Sequence, residues 1–187
     1  MYNTIASVAE SVAGKLNDII VRPRLFFSNM KLEGGYKEPL IFSYIIFFAV
    51  TAIGFILYQL GLPQMIVLVD LKKETSGNDL FLLFFVRTIA WGAGSFLMAF
   101  LYHIGFKIVG GVGNYEATYR IVTYVSAAYI FNIIPRIGIF IYCFYSLLLV
   151  VIGGAIVHKI SNGKAVIGPL IPIIIITLLS ALLQTFK

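Results

Sequence analysis

Apolar side chains follow a helical pattern near the N-terminus of this chain and form long uninterrupted runs after it. Between residues 3 and 21, five apolar residues recur at steps of three and four: Ile5, Val8, Val12, Leu16 and Ile19. This spacing predicts an amphipathic helix, which Arg22 and Pro23 end. Such a helix can lie on a membrane, pack on the inner face of a bundle or bind a partner.

Four later runs carry no charged residue and are long enough to cross a bilayer. They are residues 40–60, 88–106, 137–157 and 166–186. Each approaches the ~20 residues that ~30 Å of hydrocarbon requires. A fifth run, 117–134, is interrupted only by Arg120 near its start. The predicted spans are therefore residues 40–60, 85–107, 117–134, 137–157 and 166–186.

The predicted spans 117–134 and 137–157 are separated only by Pro135 and Arg136. One straight helix from residue 117 to 157 would measure about 60 Å, twice the hydrocarbon thickness. The chain is therefore predicted to reverse its direction between residues 132 and 138.

Composition supports a membrane class. Of the 187 residues 60% are apolar and 12% are charged, and the mean hydropathy is +0.97. Soluble domains have about 25% charged residues. The predicted fold class is an all-α integral membrane protein, a five-transmembrane-helix bundle with an N-terminal amphipathic helix. Residues 1–39 form the cytoplasmic amphipathic helix and interfacial segment, and residues 40–187 form the membrane domain.

Lysine and arginine predict the orientation. Nine of these residues flank the N-terminal side of the predicted topology and four flank the other side. Because cytoplasmic flanks are enriched in Lys and Arg, we predict an N-terminus inside and a C-terminus outside. The N-terminal segment alternates polar and apolar residues, so no cleaved signal peptide is expected. The basic residues are scattered rather than gathered on one helix face, which favours topology over nucleic-acid binding as the reason for the net charge of +6.

Polar residues gather at the predicted inner ends of the spans. We predict partner or ligand binding there by eight residues: His103, Lys107, Gly110, Gly111, Tyr115, Glu116, Arg120 and His158. Structural alternatives stand beside this prediction. Glu116 and Arg120 are four residues apart and form a helical ion pair in the simpler interpretation, while the glycines form a flexible turn.

Two histidines and one carboxylate do not make a convincing metal site, so no metal and no cofactor are predicted. No motif for nucleophilic or metal-dependent catalysis is visible, and no Asp or Glu lies deep within a span. We therefore predict a non-enzymatic multi-pass membrane protein that recruits a protein partner or organises the membrane through its cytoplasmic face. The alternative is a small-molecule or ion transporter or channel lined by His103, Glu116 and Arg120.

Small residues within the spans predict close helix packing, inside the bundle or between copies of a homo-oligomer. They are Ala90, Gly94, Thr123, Ala127, Gly153 and Gly154. Two segments also echo each other, because Gly34, Gly35, Tyr36 and Glu38 precede the first span while Gly110, Gly111, Tyr115 and Glu116 precede the third. Independent turns at the interface explain the echo, and a parallel repeat is the alternative.

Several segments together resemble the Yip domain family of Ypt/Rab GTPase-interacting membrane proteins, in its short prokaryotic branch. They are residues 34–42 (GGYKEPLIF), 103–124 (HIGFKIVGGVGNYEATYRIVTY) and 153–165 (GGAIVHKISNGKA). The resemblance implies five transmembrane helices and a cytoplasmic N-terminus, in a prokaryotic cytoplasmic membrane. The eukaryotic members of the family are associated with small GTPases and vesicle traffic, and for the short prokaryotic branch the resemblance implies no settled biochemical activity. Tyr36 to Leu40 replace the family's Asp-Leu-x-Gly-Pro type motif.

Overall fold

A computed structural model describes residues 2–62 and 77–185, and within these ranges the regular structure is helical throughout. The α-helices are α1 (Tyr2–Val21), α2 (Pro23–Asn29), α3 (Lys37–Gln59), α4 (Gly77–Ile108), α5 (Tyr115–Val125), α6 (Gly138–Val157) and α7 (Asn162–Thr185). A 3-10 helix, Ser126–Ile133, continues directly from α5. Lys72, Lys73 and Lys187, which enter the orientation count, lie outside the described residues.

Three helices of the described chain are long and apolar enough to cross a membrane: Lys37–Leu57, Phe84–Ile108 and Gly138–Val157. They match the first, second and fourth predicted spans within a few residues. In α4 only 11% of the most apolar stretch is buried inside the protein. In α6 the Phe144 side chain is 74% exposed. Exposing so large an apolar surface to water is energetically unfavourable, so these helices are suited to a hydrocarbon environment. α7 coincides with the fifth predicted span and is apolar over Asn162–Ile175.

The third predicted span is not one regular α-helix. The α-helical part ends at Val125, and the next eight residues form the 3-10 helix. Ser and Thr side chains bond back to the backbone at this junction, since Ser126 donates to the Thr123 carbonyl and Thr123 donates to the Tyr119 carbonyl. The predicted reversal follows, with Arg136 at a φ of 65° and α6 beginning at Gly138.

The N-terminal helix is confirmed and packs on the bundle. Ile19 is fully buried, and Val12, Leu16 and Ile20 pack against the core. The hydroxyl of Tyr145 in α6 donates to the Ile20 carbonyl. Of the three possibilities left open by the sequence, the structure therefore has the apolar face of α1 against the bundle.

Glycines decide where helices approach most closely. A Cβ on Gly153 would lie 2.9 Å from the Ile121 side chain, and one on Gly154 would lie 2.4 Å from the Phe106 ring. These two predicted packing positions are confirmed. A Cβ on Gly94 would meet nothing within 4 Å, so Gly94 does not pack closely inside the bundle, while packing there between copies of the chain stays a prediction. Close packing at Gly105 was not predicted, and a Cβ there would lie 2.0 Å from the Gly168 carbonyl oxygen.

Candidate functional site

One end of the bundle brings together the starts of α3 and α5 and the ends of α4 and α6. Glu38 lies in the first turn of α3 and Glu116 in the first turn of α5. His103 lies in the last two turns of α4, and His158 caps the C-terminus of α6. The polar side chains at this end form two clusters, one around Thr118 and one around Arg120.

In the first cluster, a buried hydroxyl lies between two imidazoles. Oγ1 of Thr118 is 2.8 Å from Nδ1 of His103 and 2.9 Å from Nε2 of His158. Asn114 begins α5 because its Oδ1 accepts a hydrogen bond from the Ala117 backbone N–H at 2.8 Å. This cap places Thr118 one turn later, where it joins the ends of α4 and α6.

The backbone of residues 110–113 wraps tightly around His158. Gly110 has a φ of +93°, which favours glycine. A Cβ on Gly111 would lie 2.8 Å from His158 Nδ1, and one on Gly113 would lie 3.0 Å from the same atom. The Val112 N–H donates to the His158 carbonyl at 3.1 Å. These glycines therefore serve close approach to a histidine.

His158 is fully buried, and its ring stacks on Phe106 with the centroids 4.6 Å apart. Its Nδ1 has no hydrogen-bond partner within the described residues. Burial is the main cause that lowers the pKa of His158 to about 4, and the charges of His103 and Lys107 act in the same direction. The imidazole is therefore uncharged at neutral pH.

The second cluster surrounds the guanidinium of Arg120, which is only 1% exposed. Its Nη2 donates to the Gly35 carbonyl at 2.9 Å, and its Nε donates to Glu116 Oε1 at 3.5 Å. Nη1 lies 3.9 Å from Glu38 Oε2. A buried charge is costly unless it is paired and hydrogen-bonded, and this guanidinium is both. The predicted ion pair of Glu116 and Arg120 is confirmed as part of this network.

The loop before α3 reaches the same cluster. Gly34 and Gly35 have φ values of +126° and +83°, and a Cβ on Gly34 would lie 3.1 Å from Arg120 Nη2. The Gly35 N–H donates to Glu116 Oε1 at 2.6 Å. Glycine therefore lets the backbone present both an acceptor to Arg120 and a donor to Glu116.

The two segments that echo each other in the sequence meet in space. The Tyr36 and Tyr115 rings lie 6.2 Å apart, and Glu38 and Glu116 both approach Arg120. The two similar segments therefore lie side by side at one end of the bundle. A parallel repeat stays a hypothesis.

A cleft of about 270 Å³ opens beside the Arg120 cluster, between α1, α2 and α5. Its charged wall consists of Lys15, Asp18, Lys31, Glu38 and Arg120. Its apolar wall includes Leu25, Phe26 and Met30. Lys15 Nζ also donates to Glu38, which ties α1 to the start of α3. The cleft therefore combines charges of both signs with an apolar surface.

Most of the predicted site residues are brought together, but in two clusters rather than one. His103 and His158 contact Thr118, Gly110 and Gly111 belong to the loop around His158, and Glu116 pairs with Arg120. The Tyr115 ring lies 5.8 Å from the His103 ring of the first cluster and 6.2 Å from the Tyr36 ring beside the second. The charge of Lys107 acts on His103 and His158. Within the described residues Lys107 forms no ion pair.

Thr118 and Asn114 were not predicted as site residues, because a hydroxyl and a cap within one helix carry no pattern that points to histidines elsewhere in the chain. The echo of Gly35 and Glu38 with Gly111 and Glu116 was the available signal for the second cluster. The alternative pathway through His103, Glu116 and Arg120 stays a prediction, and these three residues fall into separate clusters. Among the described residues there is no group of three His, Cys, Asp or Glu side chains placed to hold a metal ion.

Comparison with known proteins gives one family. A family model described as the Yip1 domain matches residues 17–183, which is most of the chain. Neither the curated proteins nor the solved structures contain a match.

Proposed function

The chain belongs to the Yip1 domain family, and from this membership and the cleft beside α1 we propose that it is a non-enzymatic membrane protein that recruits a protein partner through its cytoplasmic face. The cleft is the observation that carries the proposal. It is bordered by α1 and α2, which lie outside the membrane-length helices, and its walls are charged as well as apolar. Protein interfaces commonly combine an apolar centre with a polar rim.

The exposed face of α1 extends this surface. Glu10, Ser11, Asn17 and Asp18 are exposed, while the opposite face packs on the core. α1 is fixed at two places, by Lys15 with Glu38 and by Ile20 with Tyr145. A helix held in this way presents its polar face in a defined orientation, which reduces the ordering cost of binding.

The proposal includes five crossings with the N-terminus in the cytoplasm. The eleven residues of α5 rise about 1.5 Å each and the eight residues of the 3-10 helix about 2.0 Å each, or about 32 Å together. This length is sufficient for a third crossing, although no single α-helix provides it. The starts of α3 and α5 meet the ends of α4 and α6, which supports helices that cross in alternating directions. The distribution of Lys and Arg supports the cytoplasm as the side on which this end of the bundle lies.

Site-specific photo-crosslinking tests the recruitment of a partner. A photoreactive amino acid replaces Asn17 on the exposed face of α1, and the matched control carries it at Phe144 on the apolar exterior of α6. After irradiation of cells, we expect protein adducts of defined mass at Asn17 and only lipid adducts at Phe144. Deletion of residues 1–21 should also remove the partner from material purified in mild detergent. Lipid adducts alone at both positions would contradict the proposal.

A further inference from the structure

A larger cavity of about 500 Å³ lies between the helices, away from both polar clusters. α4 borders it with Ala90, Gly94, Met98 and Tyr102, which recur every fourth residue and so share one face of the helix. The interval of twelve residues from Ala90 to Tyr102 corresponds to about 18 Å along the helix axis. The cavity is therefore elongated in the direction of the membrane-length helices.

The small residues of α4 create this space. A Cβ on Gly94 would meet nothing within 4 Å. A Cβ on Gly92, which lies on the other side of the helix, would be 2.2 Å from the Tyr44 hydroxyl oxygen. Small residues that predict close packing in the sequence thus leave a cavity in the structure. Because the helices do not close on each other here, apolar surface stays uncovered, and an occupant is expected.

The walls indicate the chemistry of the occupant. None of the residues that line the cavity is charged. Several wall hydroxyls already donate to their own helix, as Ser95 does to the Gly92 carbonyl at 2.7 Å and Ser146 to the Cys143 carbonyl at 3.0 Å. Water in a cavity needs two to four polar partners, and an ion needs more. Hydrocarbon fits this surface better than either.

We infer that the cavity holds one acyl chain of a membrane lipid. The volume lies within the range of about 300–1,000 Å³ found for small-molecule sites. Cys143 is exposed and Leu147 is 40% exposed at the border of the cavity, so a chain can enter sideways from the surrounding hydrocarbon. The headgroup then stays at the membrane surface, which agrees with the uncharged walls.

The only tryptophan of the chain, Trp91, lines the cavity, as does the only cysteine, Cys143. The fluorescence of the intact protein in nanodiscs therefore reports on the cavity without interference from a second tryptophan. The probe is phosphatidylcholine with dibrominated acyl chains, which quench tryptophan by contact. Gly94→Leu fills the cavity, and Ala93→Leu places the same side chain on the exposed side of α4 as a control.

For the wild type and Ala93→Leu, quenching of Trp91 should be strong at each fraction of brominated lipid, because a brominated chain in the cavity contacts the indole ring. For Gly94→Leu quenching should be weaker at every fraction, leaving only the part caused by lipid around the protein. Native mass spectrometry in detergent should show one retained acyl lipid in the wild type and Ala93→Leu and its loss in Gly94→Leu. Ser146→Leu fills the cavity from α6 and gives the same test if Gly94→Leu does not fold. Identical quenching curves, or a retained molecule without an acyl chain, would overturn the inference.

Discussion

Replacing Thr118 with valine tests whether its hydroxyl joins the ends of α4 and α6. Thr118→Val keeps the shape of the side chain and removes the group that contacts both imidazoles. His158 is fully buried and would lose its partner at Nε2, while its Nδ1 already has none within the described residues. An unsatisfied buried group costs about 1–3 kcal/mol, and the partly exposed His103 adds less because water can replace the contact. We expect the free energy of unfolding to fall by about 2–3 kcal/mol.

Equilibrium unfolding in mixed micelles, followed by circular dichroism while the denaturing detergent is increased, measures this loss. Thr88→Val is the matched control, because the Thr88 hydroxyl donates to the Phe84 carbonyl of its own helix at an exposed position. The control should change stability by less than about 0.5 kcal/mol. Equal and small effects of the two substitutions would refute the role assigned to Thr118.

Two further predictions concern His158 and the loop around it. Because burial lowers the pKa of His158 to about 4 from a usual 6.5, its contribution to stability is complete above pH 6.5 and is lost as the pH falls towards 4, by up to about 3 kcal/mol. The pH dependence of unfolding should be flatter over this window in His158→Gln, and an unchanged slope would contradict the assignment. Gly111→Ala places a Cβ 2.8 Å from His158 Nδ1 and from the Phe106 carbonyl oxygen, and we expect a loss of about 1–3 kcal/mol. Gly14→Ala, with nothing within 4 Å, should be neutral or stabilising, and thermal unfolding that ranks the two alanine variants in the opposite order would argue against the tight loop.

The apolar runs predicted three helices well, because length and the absence of charge determine which segments suit hydrocarbon. The end of α5 at Val125 was not predictable in the same way. The residues after it are more apolar than those of α5 and carry no local stop signal, and the 3-10 helix that they form packs against α3 and α6. The fold class was thus accessible from composition, while the shape of the third run was not.

The candidate site shows a similar division. The pairing of Glu116 with Arg120 follows from helical spacing within one element and was predicted. The link from His103 through Thr118 to His158 joins residues 15 and 40 positions apart, and no local pattern carries that information. Gly94 shows the same difficulty from the other side, because a small residue can either bring helices together or leave a space, and only the neighbouring helices decide which.

The proposed topology requires that the polar ends of the helices face the cytoplasm and that α5 with the 3-10 helix crosses the membrane. Single cysteines at Val112 and Ile137 test it, in a Cys143→Ser background, since both positions are exposed and lie at opposite ends of this segment. Cells and inverted vesicles are treated with a maleimide that does not cross membranes. We predict labelling of Val112→Cys only in inverted vesicles and of Ile137→Cys only in intact cells. Labelling of both from the same side would contradict the account.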